Sequence, residues 1–333
     1  MLRASCRQEP RFGRIIGVGG YRPQRVVDNS EICRSIDSTE EWIETRSGIL
    51  RRHFATPEET HAVMGAAAAE KAIAASGIDP LEIGCVIVAT TTNLVSLPAV
   101  SVEIAGRVGA VNAGTFDLNA ACAGFCYGVG SASAMIRSGE ADHVLVVGAE
   151  RLTDLVDPTD RQIAFLLADG AGAAVLGPSE EPGIGPVVWG ADADQLEAVV
   201  MTRSWGDYRH SPQGPAPVMK MDGRRVFRWA VEAMVSTAHE AMSAAGVTVD
   251  DLDAFIPHQA NMRITEVLVH ELGLPARVAV ADDIITAGNT SSASIPLAME
   301  HMLTSGQAGS GDIALLMGFG AGLTYAAQVV RLP

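Results

Sequence analysis

The fold is decided by a pattern that occurs twice, as ASGIDPLEIGCVIVA at residues 75–89 and as AAGVTVDDLDAFIPH at residues 244–258. Each stretch reads as the end of a helix at a glycine, a turn that contains aspartate, and an apolar strand. Gly77 of the first stretch matches Gly246 of the second, at an offset of 246 − 77 = 169. This repetition predicts that the chain is built from two similar α/β halves.

Two further pairs of segments follow in the same order along the chain. GEADHVLVVG at residues 139–148 parallels GSGDIALLMG at residues 309–318, and the offset of Asp142 to Asp312 is 312 − 142 = 170. DGAGAAVL at residues 169–176 parallels FGAGLTYA at residues 319–326, at an offset of 319 − 169 = 150. Each pair is weak alone, but three pairs in one order are hard to obtain by chance, so we expect a duplicated chain.

Within each half, helix-period segments alternate with short apolar strands. The predicted helices cover residues 61–75, 101–108, 124–138, 225–245, 261–272 and 295–305, and the predicted strands cover residues 85–91, 115–119, 144–147, 254–257 and 313–317. This alternation favours layered α/β sheets, with the sheets sandwiched between helices. The Pro- and Gly-rich stretch 177–186 reads as a connection, which predicts halves at residues 1–180 and 181–333.

The composition of the chain excludes several classes of protein. Of its 333 residues, 48% are apolar, 19% are charged and 5% are aromatic, and the net charge is −15. The apolar content excludes disorder, and the acidic balance disfavours nucleic acid as a partner. With no run of about 18 apolar residues and no signal peptide in the first 14 residues, we expect no membrane span and a cytoplasmic protein. The low charge suggests that some surface is buried in an oligomer.

The segment DLNAACAGFCYG, residues 117–128, is the strongest candidate for chemistry. A strand ends and a helix begins around Cys122, where the helix dipole would lower the pKa of the thiol and favour a nucleophilic thiolate. A core cysteine in a tight turn is the alternative. The chain has five cysteines at irregular spacing, Cys6, Cys33, Cys85, Cys122 and Cys126, and we expect them to be reduced. Cys126 lies one turn after Cys122, but no second pair of ligands has a suitable spacing, so we expect no metal site.

Three later segments could contribute polar groups to a cleft. FIPHQANMRI, residues 255–264, brings His258 to the end of a strand, where it could be a general base, a hydrogen-bond donor or a structural residue. TAGNTSSASIP, residues 286–296, holds Asn289, which could cap a turn or present an amide donor. GFGAG, residues 318–322, could expose backbone N–H groups to a developing oxyanion.

Taken together, AACAGF, IPHQANMRI, AGNTSSASIP and GFGAGLTY resemble, in order and separation, the β-ketoacyl-acyl-carrier-protein synthase III family. STEEWIETRSGI at residues 38–49 and DPTDR at residues 157–161 also fit, and the similarity covers nearly the whole chain. The resemblance implies a thiolase-like fold, in which two duplicated halves form a five-layer αβαβα arrangement. That fold agrees with the repeat found independently.

The resemblance also implies an activity. Cys122 would take an acyl group from an acyl-CoA, while His258 and Asn289 donate hydrogen bonds to the thioester carbonyl of malonyl on an acyl carrier protein. Loss of CO₂ would then generate the carbanion for a Claisen condensation, so that no cofactor and no metal are needed. The oxyanion hole would combine the amide of Cys122 with one from the Gly320–Ala321 turn. Such an enzyme primes fatty-acid or aromatic-polyketide synthesis.

Substrate-binding positions are carried over one by one. Trp42, Arg46 and Arg161 resemble the residues that clamp the adenine of CoA, and Asn261 and Met221 resemble positions along the pantetheine tunnel. Leu97 matches the position at which the family inserts a side chain into the acyl pocket of the partner protomer in a homodimer. Because the family associates a bulky aromatic residue there with acetyl preference, we expect a pocket that admits longer or branched starters.

An acidic enzyme needs a local basic patch to bind an acyl carrier protein, because acyl carrier proteins are acidic themselves. Arg228 and Arg263 match basic docking positions of the family, and the run MDGRRVFRW puts Arg224 and Arg225 together with Arg228. His270 and Glu271 stand where better-known members have two further basic residues. A solvated helix face is the alternative for this cluster.

Related activities differ in their residue sets. Elongating ketosynthases carry two histidines, thiolases use a second cysteine late in the chain, and chain-length-factor subunits lack the nucleophile. No cysteine follows Cys126 here, and the Cys122, His258 and Asn289 set is complete. The alternatives that stay open are an acyltransferase of the same fold that acylates an alcohol or amine, and a non-catalytic synthase subunit.

Overall fold

The computed structural model describes residues 11–333. Cys6 and the first ten residues of the N-terminal segment considered for a signal peptide lie outside the described residues. The strands are β1 (Phe12–Tyr21), β2 (Arg25–Asp28), β3 (Arg51–Phe54), β4 (Ile83–Ala89), β5 (Gly114–Leu118), β6 (His143–Arg151), β7 (Asp169–Ser179), β8 (Val188–Gly190), β9 (Val199–Met201), β10 (Met219–Met221), β11 (Ala254–Pro257), β12 (Ala279–Val280), β13 (Ile313–Phe319) and β14 (Tyr325–Arg331). The α-helices are α1 (Asn29–Ile32), α2 (Glu40–Ser47), α3 (His61–Ser76), α4 (Val100–Val108), α5 (Gly124–Ser138), α6 (Trp205–His210), α7 (Gly223–Ala245), α8 (Met262–Glu271), α9 (Ile284–Ala287) and α10 (Ser294–Ser305).

Two five-stranded sheets of the same topology form the frame. The first has the order β1-β7-β6-β4-β5 and the second has the order β8-β14-β13-β11-β12. In each sheet the last three strands are parallel, and the second strand runs antiparallel to both of its neighbours. The equivalent strands occur in the same order along the two halves, so the expected duplication is present in the fold.

The helices complete a five-layer αβαβα arrangement, as the resemblance implied. Helices α3 and α4 cover the outer face of the first sheet, and α7 and α8 cover the outer face of the second. Helices α5 and α10 fill the layer between the two sheets and contact both. None of the helices described in residues 11–333 is long and apolar enough to cross a bilayer.

The central strands are apolar along their whole length because both faces of each sheet are covered. In β6, Val144 and Val146 pack into the middle layer, whereas Leu145 and Val147 pack against the outer helices. Small residues allow the layers to approach closely: a Cβ on Gly148 of β6 would lie only 2.4 Å from the carbonyl oxygen of Ser292. This packing accounts for the high content of small aliphatic residues.

Two equivalent turns lead into the middle helices. Residues Ala121–Ala123 precede α5 and residues Ser291–Ala293 precede α10, at an offset of 291 − 121 = 170. The first residue of each has a positive φ, 48° for Ala121 and 51° for Ser291, a strained value for a residue other than glycine. The duplication therefore preserves the sharp turn that brings Cys122 to the start of a helix.

The third sequence pair is wrong as an alignment of the two halves. Gly172 pairs with Gly148 in the first sheet, whereas Ala326 pairs with Gly318 in the second. Gly172 and Ala326 are therefore the equivalent residues, at an offset of 326 − 172 = 154 rather than 150. The connection between β6 and β7 is longer than the equivalent connection between β13 and β14. This difference in length changes the offset between equivalent residues of the two halves.

The predicted boundary at residues 180 and 181 falls after Ser179, the last residue of β7, and before Val188, the first of β8. Strand β7 is the last of the first sheet in chain order, and β8 is the first of the second. The assignment of residues 1–180 and 181–333 to the two halves stays a prediction.

Candidate active site

A cavity of about 1560 Å³ lies beside the middle layer, at the turns that precede its two helices. Its wall includes Cys122, His258 and Asn289, which come from both halves of the chain. The other predicted site residues along this wall are Trp42, Arg46, Arg161, Met221, Arg224, Arg228, Asn261, Arg263, Gly320 and Ala321. Arg225 and Leu97 are outside the lining.

Cys122 follows β5 on the turn that leads into α5, as the sequence predicted. The predicted depression of its pKa is wrong, because burial raises the pKa of the Cys122 thiol to about 12. A hydrogen bond with Ser291 lowers the pKa and the charge of Glu150 raises it, and both effects are smaller than that of burial. The resting sulfur is therefore a thiol.

His258 lies directly after β11, and its ring is buried against Phe319 with ring centroids 5.4 Å apart. Burial lowers the pKa of His258 to about 3, so the imidazole is neutral. Its Nδ1 lies 2.7 Å from the Ser294 hydroxyl, which accepts a hydrogen bond of 3.2 Å from the Gln259 amide. Ser294 can then donate its own proton to Nδ1, which leaves the ring proton on Nε2.

Asn289 is fixed by its backbone and by its side chain. Its amide donates to the Leu166 carbonyl at 2.9 Å, and its carbonyl accepts from the Ala168 amide at 2.8 Å. Its Oδ1 accepts from the Ser291 amide at 2.9 Å, so the turn interpretation of Asn289 is correct. Because this bond holds the side-chain oxygen, the NH₂ group is the end of the amide left to donate into the cavity.

Gly320 stands directly over the nucleophile. A Cβ at this position would lie 2.6 Å from the Cys122 backbone nitrogen and 3.1 Å from the Cys122 Cβ, so only glycine fits. The Gly320 amide already donates to the Thr324 carbonyl at 2.9 Å. The predicted oxyanion hole combines the Cys122 amide with that of Gly320 or Ala321. Because the Gly320 amide is already engaged, the Ala321 amide is the better candidate.

The three residues predicted to clamp adenine all line the cavity. The Arg161 guanidinium stacks on the Trp42 ring, 4.8 Å from its centroid, and Trp42 packs edge-on against Phe165 at 5.1 Å. Asn261 caps α8 by accepting from the Arg263 amide, and its Nδ2 donates to the Arg46 carbonyl at 3.1 Å. Asn261 is therefore a helix cap as well as part of the cavity wall.

The four arginines predicted to bind the carrier protein lie in two different environments. Arg224, Arg228 and Arg263 are exposed at the cavity. Arg225 instead donates from Nε to the side-chain oxygen of Gln195 and from Nη2 to the Asp194 carbonyl, the latter over 2.9 Å. Its guanidinium is therefore engaged in holding the 193–198 segment.

Three residues at the site were not predicted from the sequence: Glu150, Ser291 and Ser294. The run of hydroxyl residues after Asn289 was a signal for the two serines, and an acidic residue at the end of the apolar strand β6 was a signal for Glu150. Within residues 11–333, no group of His, Cys, Asp and Glu side chains is arranged to hold a metal ion.

Family models and individual relatives agree on what the chain is similar to. The model described as 3-oxoacyl-(acyl-carrier-protein) synthase III matches residues 116–193, and the model for the C-terminal part of that enzyme matches residues 242–332. A β-ketoacyl-(acyl-carrier-protein) synthase III of Streptomyces lividans is 54% identical over 98% of this chain and 96% of the relative. The chain belongs to the synthase III family. As a member of this family it is an acyltransferase of the condensing-enzyme type.

Solved structures of synthase III proteins have the same fold. The priming β-ketosynthase of a polyketide biosynthetic pathway matches with a TM-score of 0.97 and 54% identity, over 99% of both chains. The synthase III of Aquifex aeolicus matches with a TM-score of 0.88 and 35% identity, over 96% of this chain and 99% of that one. A further relative found by sequence comparison, a mycobacterial synthase III from Mycobacterium avium, is 47% identical over 100% of this chain and 99% of the relative. The thiolase-like architecture is thus shared along the whole chain.

Proposed function

We propose that the chain condenses an acyl-CoA starter with malonyl on an acyl carrier protein, and so primes fatty-acid or polyketide synthesis. The products are a 3-oxoacyl-(acyl carrier protein), CO₂ and CoA. The observation that supports this most is the presence of Cys122, His258 and Asn289 on one cavity wall, with the acceptor atoms of the last two already engaged. The cavity lining then combines a nucleophile with two neutral hydrogen-bond donors.

In the first half-reaction, the Cys122 sulfur attacks the thioester carbonyl of the acyl-CoA and CoA leaves. The oxygen of the tetrahedral intermediate accepts hydrogen bonds from the amides of Cys122 and Ala321. Loss of one such donor typically slows a reaction about 10²–10³-fold. The close fit of Gly320 over Cys122 keeps this position free of side chains.

In the second half-reaction, the malonyl thioester oxygen accepts hydrogen bonds from Nε2 of His258 and Nδ2 of Asn289. The bond between the malonyl α-carbon and the carboxylate breaks, and CO₂ leaves. The electron pair of that bond forms an enolate, which these donors stabilise. The enolate carbon attacks the acyl group on Cys122, and the Cys122 thiolate leaves. Because the pKa of His258 is about 3, the donor is neutral and does not protonate the enolate.

The outer cavity supplies the binding residues. Adenine would enter between Arg161 and Trp42, which stack on each other in this structure, and Arg46 would lie beside them. The pantetheine arm would pass Asn261 and Met221 on its way to Cys122. The exposed Arg224, Arg228 and Arg263 would bind the acidic carrier protein. The contacts of Arg225 favour a supporting role for that residue.

A homodimer completes the proposed acyl pocket. Leu97 is 86% exposed, and three further apolar side chains are exposed as well: Leu94, Val95 and Phe116. Phe116 belongs to β5, an edge strand of the first sheet, so a second copy could cover this surface. Leu97 would then reach the acyl pocket of the other protomer. We further propose a cytoplasmic enzyme that uses no cofactor, since decarboxylation itself provides the carbanion.

The test follows both half-reactions by mass spectrometry. Incubation with acyl-CoA should add the acyl group to Cys122, and malonyl-carrier protein should then release CO₂ and remove the adduct. An unmodified Cys122 would indicate a non-catalytic subunit, and an adduct without CO₂ release would indicate an acyltransferase for alcohols or amines. Acetyl-, propionyl- and isobutyryl-CoA should be compared, because a strict acetyl preference would contradict the role assigned to Leu97.

A further inference from the structure

Glu150, near the end of β6, is a fully buried carboxyl group that the proposed mechanism does not use. Its Oε2 accepts hydrogen bonds from the Thr92 hydroxyl at 2.7 Å, the Thr91 amide at 3.1 Å and the Thr90 hydroxyl at 3.2 Å. Among residues 11–333, no Lys, Arg or His side chain forms an ion pair with it. An ionised Glu150 would therefore be a buried charge without a counterion, which is a costly state in a protein interior.

The hydroxyl of Ser292 indicates where the proton of this group lies. Its oxygen is 2.8 Å from Oε1 of Glu150 and also 2.8 Å from the carbonyl oxygen of Ala89. A serine hydroxyl has one proton, and a carbonyl oxygen can only accept. Beside an ionised Glu150, that proton would satisfy one of the two oxygens and leave the other in close contact with no proton between. A proton on Oε1 removes the conflict, because Glu150 then donates to Ser292 and Ser292 donates to Ala89.

We propose that Glu150 is a neutral carboxylic acid at neutral pH and braces the turn before α10 without adding a negative charge to the site. The proton is on Oε1 and is donated to Ser292. Oε1 still has a lone pair for the Ser291 hydroxyl, 3.0 Å away, and Oε2 still accepts from the threonine segment. Burial raises the pKa of Glu150, and the hydrogen bonds of the group oppose this with a smaller effect.

The charge state of Glu150 matters because the reacting groups are close to it. A negative charge on Glu150 raises the pKa of the Cys122 thiol and so opposes formation of the nucleophile. Oδ1 of Asn289 accepts from the amide of Ser291, whose hydroxyl is hydrogen-bonded to Glu150. An ionised Glu150 would therefore also oppose the negative charge of an enolate held by Asn289. This consequence rests on the proposed function, whereas the neutral state of Glu150 does not.

Four titratable residues lie on the elements around Glu150: His61, Cys122, Arg151 and Asp169. His61 contacts the Thr92 hydroxyl, and burial lowers its pKa to about 4, whereas burial raises the pKa of Cys122 to about 12. Arg151 donates to Asp154 at 3.2 Å. Burial raises the pKa of Asp169 as well, so a test has to distinguish this carboxyl from Glu150.

Infrared spectroscopy of the full chain at pH 7 tests the charge state directly. A protonated carboxyl group has a C=O stretching band that is well separated from the bands of carboxylates. We expect this band in the unmodified protein and its loss in Glu150→Gln. Labelling the glutamate carboxyl carbons with ¹³C should shift the band, which excludes Asp169 as its source.

The matched control is Glu59→Gln, which makes the same substitution at another buried glutamate. Glu59 accepts from the Tyr21 hydroxyl at 2.7 Å and from the Thr56 amide at 2.8 Å. Burial would raise the pKa of Glu59, but its hydrogen bonds hold the pKa below the usual value. This carboxyl is therefore ionised at pH 7, and Glu59→Gln should leave the C=O band unchanged.

Urea unfolding gives a second measurement, for which the sign is defined. Because the pKa of Glu150 is raised above its usual value of 4.5, the folded protein keeps a proton that the unfolded chain loses. The unfolding constant of the unmodified protein, divided by that of Glu150→Gln, should rise about tenfold per pH unit from pH 4.5 to the pKa of folded Glu150. The same ratio for Glu59→Gln should stay constant between pH 5 and pH 7, since Glu59 is ionised in both states there.

The neutral Glu150 is overturned if the unmodified protein shows carboxylate bands alone, or if the ratio for Glu150→Gln does not change with pH. If Glu150→Gln does not fold, the ¹³C-sensitive band of the unmodified protein decides the question. Condensation by acylated enzyme should fall about tenfold per pH unit once Glu150 ionises, and Glu150→Gln should remove this alkaline loss. An equal loss in both proteins would contradict the effect on the enolate. Failure of the proposed function is a separate outcome, because Cys122 would then stay unacylated while the infrared result is unaffected.

Discussion

Glu150 and Gly320 occupy equivalent positions in the two halves, just beyond the paired glycines of β6 and β13, Gly148 and Gly318. The Glu150 carboxyl group is hydrogen-bonded to Ser291 and Ser292 and so ties down the turn before α10. Gly320 has no side chain and leaves the equivalent turn, which carries the nucleophile, open to the cavity. The duplication therefore provides two sharp turns at the cavity, one braced by a buried carboxyl group and the other approached closely by a glycine.

Gly320→Ala should block acylation, because its Cβ would lie 2.6 Å from the Cys122 backbone nitrogen. Displacement of that amide removes an oxyanion donor, so the rate of acyl-Cys122 formation should fall about 10²–10³-fold. Overpacking should also lower the free energy of unfolding by about 1–3 kcal/mol. Burst kinetics with acetyl-CoA and thermal unfolding measure the two effects.

The matched control for this substitution is Gly106→Ala on the exposed face of α4, where a Cβ meets nothing within 4 Å. It should leave acylation unchanged and stabilise the protein by about 0.5–1 kcal/mol. Normal acylation in the Gly320→Ala variant would contradict the assigned oxyanion hole.

Ser294→Ala should impair condensation and spare acylation. Without the hydroxyl 2.7 Å from Nδ1, the His258 ring can take the tautomer that has its proton on Nδ1 and then lacks a donor at Nε2. CO₂ release from malonyl-carrier protein by acylated enzyme should fall about 10²-fold. Nitrogen NMR of the imidazole should report the change of tautomer.

Ser305→Ala is the control for that experiment, since Ser305 lies at the opposite end of α10 and, among the described residues 11–333, its hydroxyl bonds only to the Met302 carbonyl. Equal loss of acylation and condensation in Ser294→Ala would show that Ser294 supports the fold rather than the tautomer of His258.

Local patterns in the sequence predict the elements that carry the site. Helix α5 and strand β11 have the predicted bounds, because glycine ends the helix and an apolar run defines the strand. Strand β7 was not predicted, since DGAGAAVLGPS consists mostly of Gly, Ala, Asp and Pro residues, which are depleted in strands. It forms a strand because β1 and β6 pair with it on both sides. Whether such a segment forms a strand depends on its neighbours in the fold, which a short stretch of sequence does not show.

The same distinction applies to the candidate site. The Cys122, His258 and Asn289 set was predicted from motifs, whereas Glu150 and Ser291 become significant only when the two halves face each other. The pKa direction of Cys122 was wrong for a related reason: the helix dipole is a local effect, while burial depends on the whole fold.

Acid should destabilise the protein through two buried histidines. Burial lowers the pKa of His61 to about 4 and that of His258 to about 3, against about 6.5 in the unfolded chain. Below pH 6.5 the unfolded state binds more protons than the folded state, so stability falls as the pH falls from 6.5 towards these values. Each histidine contributes a slope of up to about 1.4 kcal/mol per pH unit.

Urea unfolding at several pH values between 4 and 8 measures this slope. His61→Gln, which keeps a polar partner for the Thr92 hydroxyl, should remove about half of the slope between pH 6.5 and pH 4. An unchanged slope in this variant would contradict the burial of a neutral His61.

Carrier-protein binding should depend on local charge rather than on the net charge of −15. Arg228→Glu and Arg263→Glu place a negative charge on the cavity rim, so each should raise the KM for malonyl-carrier protein about tenfold, with a smaller effect at high salt. Acylation of Cys122 by acyl-CoA should be spared. Steady-state kinetics with both substrates separate the two effects.

Arg137→Glu makes the same change in net charge, −15 − 2 = −17, at an exposed site in the last turn of α5 and away from the cavity lining. If long-range repulsion controlled binding, this control would raise the KM for the carrier protein as much as Arg228→Glu. A local patch predicts no change. Equal losses in both half-reactions for Arg228→Glu and Arg263→Glu would instead assign these arginines to CoA binding or to the fold.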